Sequence, residues 1–83
     1  MALYFLTYDL RLDRDYQRLY DELENFNAVK VLESTWCFKG VNTTASGLRD
    51  YFKKFVDSND GLLVVESKAW GTFNTDGTPD NLP

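Results

Sequence analysis

The sequence predicts an α+β domain in which two helices cover one face of an antiparallel sheet. Two amphipathic segments, with apolar side chains spaced three and four residues apart, indicate the helices. Short apolar runs rich in aromatic and β-branched residues indicate four strands. The resulting order, β-α-β-β-α-β, is that of the ferredoxin-like sandwich. Since the chain has 83 residues, we expect a single domain, over residues 1–73.

The first strand and the first helix are predicted from the opening third of the chain. Residues 2–8 form an apolar and aromatic run, which predicts a central strand buried on both faces. Asp9 ends this run, and Asp13 or Asp15 is placed to cap the helix that follows. That helix is predicted over residues 16–25. Its apolar stripe consists of Tyr16, Leu19, Tyr20, Leu23 and Phe26.

The middle of the chain predicts two more strands and the second helix. Residues 28–38 are largely apolar but are interrupted at Glu33 and Ser34, which indicates two strands or one bent strand. The N-cap candidates of the next helix are Thr43, Thr44 and Ser46. Its apolar stripe consists of Ala45, Leu48, Phe52, Phe55 and Val56.

The last part of the chain predicts one more core strand and a tail. Residues 62–66 are a short apolar run, typical of a buried strand. Residues 70–73 are expected to add a fifth strand or a hook. Residues 74–83 are polar and contain Gly77, Pro79 and Pro83, so we expect a flexible C-terminal tail.

Composition excludes several classes of function. Nine Lys and Arg against thirteen Asp and Glu give a net charge of −4, which is opposite to the basic surface of proteins that wrap nucleic acid. A nucleic-acid role therefore needs a local basic patch or a bridging metal. The chain has no His and a single Cys37, so zinc sites and His-dependent nucleophiles lack their residues. Without a signal-peptide pattern or a long apolar run, we expect a cytoplasmic protein with no membrane contact.

Two short motifs carry a resemblance to a known family. The first strand closes with Tyr8-Asp9-Leu10 and is followed by a helix, and a second segment carries the pattern Ser34-x-x-x-Phe38. With these motifs the chain resembles the CRISPR-associated Cas two superfamily, and its SinR-like members in particular. It is also similar to virulence-associated protein D, a toxin-type ribonuclease. The resemblance covers residues 2–66 and depends on the order of elements as much as on the motifs.

The resemblance implies a homodimer that acts as a metal-dependent endonuclease. In such a dimer the Asp9 carboxylates of two chains face each other across a cleft and hold magnesium or manganese for hydrolysis of RNA or DNA phosphodiesters. Two carboxylates brought together by a two-fold axis repel each other, so they share a proton or recruit a cation. Arg11, Arg14 and Ser34 are the candidates for contacts with phosphate. The alternative for Asp9 is a turn-forming residue without a metal.

A second hypothesis is a protein of the same fold without nuclease activity. The net acidity and the single candidate carboxylate favour a non-catalytic dimeric scaffold, or a protein-interaction module with a protein partner. In either case Trp70 and Phe73 are the candidate dimer anchors, because they follow the last core strand and have no evident place in one small core. Trp36 and Cys37 are expected in the core.

Overall fold

The computed structural model describes residues 1–12 and 15–83. Its regular elements, in chain order, are β1 (Ala2–Asp9), α1 (Gln17–Asn25), β2 (Val29–Leu32), β3 (Thr35–Gly40), α2 (Ala45–Phe52) and β4 (Gly61–Ser67). Two 3₁₀ turns are added at Lys53–Phe55 and Pro79–Asn81. The predicted α+β class, with a four-stranded antiparallel sheet and two helices, is confirmed. None of the helices in the described ranges is long and apolar enough to cross a membrane.

The sheet has the strand order β2-β3-β1-β4, and every neighbouring pair is antiparallel. This order is compatible with a ferredoxin-like arrangement. In β1, Leu6 lies opposite Trp36 of β3 on one side and opposite Val64 of β4 on the other. The apolar run at the start of the chain therefore occupies the interior of the sheet, and β2 and β4 are its edges.

The core lies between the sheet and the helices. Successive side chains of a strand point to opposite faces, and the alternate β1 residues Tyr4, Leu6 and Tyr8 are the buried ones. They form one cluster with side chains from both helices, which are Leu19, Leu23, Leu48 and Phe52. The rings of Phe26, Phe38 and Phe52 meet in tilted and edge-on pairs with centroids 5.1 to 5.8 Å apart. Aromatic packing of this kind supplies much of the burial in a small domain.

The opposite face of the sheet is covered unevenly. In β1 the intervening residues, Phe5 and Thr7, are only half-buried, so the prediction of a strand fully buried on both faces is wrong for this face. Cys37 of β3 is fully buried, as expected. On β4, however, Leu63 is 56% exposed and Val65 is 41% exposed. Burial on this face is therefore deep at β3 and shallow at β4.

The helix starts follow the predicted capping chemistry in part. At α2, the Thr44 hydroxyl accepts a hydrogen bond from the backbone N–H of Gly47 at 3.0 Å, which makes Thr44 the cap among the three candidates. At α1, the Asp15 carboxylate accepts from the N–H of Gln17 at 2.8 Å. The N-cap position itself belongs to Tyr16, whose side chain does not cap. Asp13, the other candidate, lies outside the described residues.

The last ten residues make specific contacts with β2. The N–H of Asp76 donates to the backbone oxygen of Val31 at 2.8 Å. A 3₁₀ turn follows, with Thr78 in a reciprocal capping box with Asn81. This differs from the expectation of an unstructured tail. The reason is local: Thr78 followed by Pro79 is a cap followed by a pre-set first helical residue, which is a helix-start signal even in a polar segment.

Candidate functional site

Asp9 lies at the open end of the central strand. It is the last residue of β1 and follows Tyr8, the last β1 residue in the core. Its side chain is 72% exposed, because the strand ends where the helices no longer cover it. In the sheet Asp9 pairs with Gly61, the first residue of β4. The fold thus presents this carboxylate to solvent from a rigid element.

Arg11 is the immediate partner of Asp9. Its Nε donates to Asp9 Oδ2 at 3.2 Å, and its Nη1 donates to the backbone oxygen of Asn59 at 3.0 Å. Gly61 makes room for this side chain, since a Cβ there would lie 2.9 Å from Arg11 Nη2. An exposed pair of this kind stabilises by about 0.2–1 kcal/mol. The Arg11 side chain therefore neutralises the Asp9 charge, and it can be displaced because the ion pair adds little stability.

Asp60 holds the loop after β1 against the turn before β4. Its Oδ1 accepts from the backbone N–H of Arg11 at 2.8 Å and from the Tyr16 hydroxyl at 2.9 Å. Its Oδ2 accepts from the N–H of Asp57 at 2.8 Å. The backbone N–H two residues after Asp9 is thus bonded to Asp60, so the turn-forming alternative for Asp9 is not seen within the described residues.

A groove beside Asp9 brings a second candidate residue close to it. The groove has a volume of about 330 Å³ and is lined by Tyr8, Asp9, Leu10, Tyr20, Glu33 and Ser34. Ser34 enters it because its backbone oxygen accepts from the Tyr8 N–H at 3.1 Å and from the Thr7 hydroxyl at 3.0 Å. Its own hydroxyl has no hydrogen-bond partner among residues 1–12 and 15–83. Asp9 and Ser34, far apart in sequence, therefore border one cavity.

Tyr8 is the structural support of this groove. Its hydroxyl donates to the backbone oxygen of Glu33 at 3.1 Å and accepts from Trp36 Nε1 at 3.2 Å. Burial raises the pKa of Tyr8, so its phenol stays neutral around neutral pH. Tyr8 lies in the core, as expected for a residue of the buried first strand. Its role is to hold the Glu33-Ser34 turn in place.

The remaining predicted residues are distributed over other parts of the molecule. Arg14, predicted to contact phosphate, lies outside the described residues. Trp70 and Phe73, the predicted dimer anchors, follow β4, with exposed fractions of 39% and 85%. Neither ring pairs with another ring among the described residues. Both are therefore available for a contact with another molecule.

The carboxylates near Asp9 do not make a complete metal site in one chain. Among residues 1–12 and 15–83 there is no group of three or more His, Cys, Asp or Glu side chains able to hold an ion. Sequence reasoning missed two features here: the exposed Glu33 in the groove and the linking role of Asp60. Glu33 was visible as a polar interruption between strands, and Asp60 as part of a turn cluster, but neither signal indicates a partner across the fold.

No protein-family model matches the chain, and no solved structure matches it.

Proposed function

We propose that the chain is a Cas two-like homodimer of ferredoxin-like fold that cleaves RNA or DNA phosphodiesters with a divalent metal ion at Asp9. The observation that carries the proposal is the position of Asp9 at the exposed end of the central strand, bordering a groove shared with Ser34. The resemblance assigns the metal-holding carboxylate to this strand end. The proposal therefore depends on one residue and its surroundings.

The residues fit magnesium or manganese as one half of a two-chain site. Asp9 offers two carboxylate oxygens, of which Oδ2 accepts from Arg11. Magnesium is commonly held by one or two carboxylates with water and phosphate oxygens, so a pair of Asp9 side chains related by a two-fold axis suffices. When bound, such an ion activates water and neutralises the charge that develops on the phosphate. Oδ1 is not bonded to Arg11 and is therefore open to the ion while Arg11 stays on Oδ2.

Ser34 and Arg11 are the groups of this chain suited to the phosphate. The Ser34 hydroxyl borders the same groove as Asp9 and can donate to a phosphate oxygen. The Arg11 guanidinium, once released from Asp9, is a bidentate donor on the same side of the strand end. Arg14 remains a proposal from sequence. With these few donors in a chain of net charge −4, we expect weak, salt-sensitive binding of nucleic acid.

A second candidate function is a non-catalytic dimeric scaffold or protein-interaction module. The observation that favours it is a set of exposed apolar side chains, which are Leu63 and Val65 on β4 and Trp70 and Phe73 in the segment after β4. Exposed apolar patches in soluble proteins commonly mark contacts with other proteins. The same surface serves as the dimer interface in the first proposal, so the two candidates differ in chemistry rather than in assembly.

Nuclease assays on matched variants separate the two candidates. The purified protein is incubated with labelled single- and double-stranded RNA and DNA, with magnesium, with manganese and with chelator. Asp9→Asn keeps the shape of the side chain and removes its charge. Asp50→Asn is the matched control, because Asp50 is an exposed carboxylate paired with Arg49 at 2.9 Å on α2.

The endonuclease proposal expects metal-dependent cleavage in the wild type and in the Asp50 variant, and activity at the chelator level in the Asp9 variant. Circular dichroism and sedimentation show that each variant is folded and in the wild-type assembly. Equal cleavage by all three proteins identifies a contaminating nuclease and contradicts the proposal. Absence of cleavage in the wild type, with a stable dimer, favours the scaffold.

A further inference from the structure

The two edges of the sheet are not equally open. Edge strands present unpaired backbone N–H and C=O groups, which can pair with the edge of another molecule. Here β2 and β4 are the edges. The C-terminal segment contacts β2 through Asp76 and the 3₁₀ turn Pro79–Asn81, whereas β4 has no backbone hydrogen bond among the described residues besides those to β1. The β2 edge is thus the one that the chain covers with its own residues.

The cover is a close-fitting contact. The N–H of Asp76 donates to the outward backbone oxygen of Val31 at 2.8 Å. Next to it, Gly77 approaches the strand so closely that a Cβ would lie 2.7 Å from the Lys30 backbone oxygen and 2.7 Å from Val29 Cγ1. Only a residue without a side chain fits this approach. Thr78 then begins the 3₁₀ turn Pro79–Asn81 through its capping box, and this turn also contacts β2.

We propose that the β2 edge is a second self-association surface, which residues 74–83 keep closed and which accepts the β2 strand of another copy when they are displaced. The surface adjoins the Asp9 groove at Glu33, but it includes neither Asp9 nor β4. Displacement frees the Val31 backbone oxygen, next to Leu32, a large apolar side chain that is already 46% exposed. Strand addition then satisfies the freed backbone group.

Charge complementarity argues for a second copy as the occupant. A two-fold axis makes two β2 strands antiparallel, so that the same patch of each copy faces its mate. Lys30 lies on this strand and Glu33 lies just beyond its end, and both are exposed. In the antiparallel pair, Lys30 of each copy lies toward the Glu33 end of the other. Opposite charges across a strand pair are favourable.

One backbone hydrogen bond and the packing of residues 77–81 hold the cover, so it can open while the core between the sheet and the helices stays folded. Asp76 supplies the one backbone hydrogen bond to β2 that is seen among the described residues. Segments with few buried contacts open locally at low free energy. Cys37 provides a reporter of this opening, because it is fully buried and lies directly opposite Val29, against which Gly77 packs.

Two variants of the same residue test the proposal. Asp76→Pro removes the N–H that donates to Val31, whereas Asp76→Ala keeps that N–H and removes only an exposed carboxylate. Sedimentation at micromolar concentration measures the mass of each, and a thiol reagent measures the reactivity of Cys37. We expect the Pro variant to have a larger mass than the wild type, with Cys37 reacting about tenfold faster, because loss of one hydrogen bond shifts an opening equilibrium by that order. The Ala variant should match wild type in both.

A reversal experiment identifies the surface used. Adding Lys30→Glu to the Pro variant places two acidic residues where unlike charges met, so the mass should return to the wild-type value while Cys37 stays reactive. If the Pro variant is misfolded by circular dichroism, Gly77→Ala takes its place, since its Cβ forces the segment away from β2.

Three results would overturn the proposal: unchanged mass with reactive Cys37, unchanged mass and unchanged reactivity, or a larger assembly that Lys30→Glu does not reverse. Masses are compared with that of the wild type. A monomeric wild type would therefore remove the proposed dimer and leave this test intact.

Discussion

On the helix-covered face of the sheet Phe38 and Phe52 are fully buried, whereas on the opposite face Leu63 is 56% exposed and Val65 is 41% exposed. The same strands supply both sets, because side chains alternate between the faces. Burial of apolar area, at about 25 cal/mol per Å², holds the first face in place. On the second face the chain relies on a C-terminal segment at one edge and leaves the other edge open. One face of the sheet therefore supplies most of the stability, and the other presents the side chains available for association.

The largest expected effect tests this division directly. Phe38→Ala removes a ring that packs against Phe26 and Phe52 and should lower the free energy of unfolding by about 3–5 kcal/mol. Leu63→Ala, on the exposed face of β4, should change it by less than about 0.5 kcal/mol in the monomer. Urea denaturation at low protein concentration measures both.

Similar losses for the two variants would mean that Leu63 is buried in an assembly that persists under the assay. Raising the protein concentration then distinguishes burial of Leu63 in an assembly from burial within one chain, since only an assembly makes stability depend on concentration.

The covered face is the part of the molecule that sequence predicts well. Spacings of three and four placed Leu19, Leu23, Leu48 and Phe52 on helices, and all four are in the core. Alternation in β1 carries the same information. These patterns can be recognised from residues close in sequence, and the periodicity alone indicates which side of a helix or strand is buried. The fold class followed because few arrangements of such elements bury both stripes at once.

The opposite face and the site were predicted less completely, for a physical reason. Asp9 and Ser34 could be placed at a strand end and a bend, but their shared groove arises from the pairing of β1 with β3. Asp60 holds Arg11 from a different part of the chain, and Asp76 bonds to Val31 across the sheet edge. Contacts between distant polar residues have no periodic signature, so the sequence did not indicate which of these residues meet.

The second largest effect is expected at the β2 edge, which the C-terminal segment covers. Gly77→Ala introduces a Cβ at 2.7 Å from the Lys30 backbone oxygen, and overpacking of this kind lowers stability by about 1–3 kcal/mol unless the segment moves away. Gly71→Ala is the matched control, since nothing lies within 4 Å of its added Cβ. Urea denaturation gives the stability, and Cys37 reactivity gives the movement.

We expect the Gly77 variant to lose stability or to expose Cys37, and the Gly71 variant to do neither. A Gly77 variant that behaves as wild type in both measurements would show that residues 74–83 contribute nothing to the β2 edge in solution.

A polar contact within the helix layer gives the third effect. The Tyr51 hydroxyl of α2 donates to the Glu22 carboxylate of α1. Tyr51→Phe should lower stability at neutral pH by less than the Gly77 substitution does, because it removes one hydrogen bond between the helices. The variant measures how much of the stability of the helix-covered face comes from polar contacts rather than from burial of apolar side chains.

The pH dependence of this contact has a defined sign. The hydrogen bond to Glu22 raises the pKa of Tyr51 above 10.0, with burial and the Glu22 charge adding to the effect. Because the folded-state pKa is the higher one, the contribution of the phenol is complete below the unfolded pKa and is lost as pH rises through the folded pKa. Wild type and variant should therefore differ at neutral pH and converge in strongly alkaline solution. A difference that grows with alkaline pH contradicts the assignment.

A small loss of stability is also expected when Arg11, which follows the exposed end of β1, is replaced. Arg11→Gln removes an exposed ion pair and should lower stability by less than about 1 kcal/mol. Arg49→Gln is the matched control, since Arg49 and Asp50 form a pair of similar exposure on α2. Urea denaturation at low and high salt should show both differences shrinking with salt, because exposed charges are screened.

The same variant separates two roles of Arg11 in the proposed endonuclease. If Arg11 only neutralises Asp9, its removal frees Oδ2, and cleavage should require less metal with an unchanged KM for nucleic acid. If Arg11 also contacts phosphate, KM should rise, and it should do so most at low salt. Titrations of metal and of substrate measure the two quantities separately. A variant that matches Arg49→Gln in both titrations would confine Arg11 to joining β1 to the turn at Asn59, and the phosphate contacts would have to come from elsewhere.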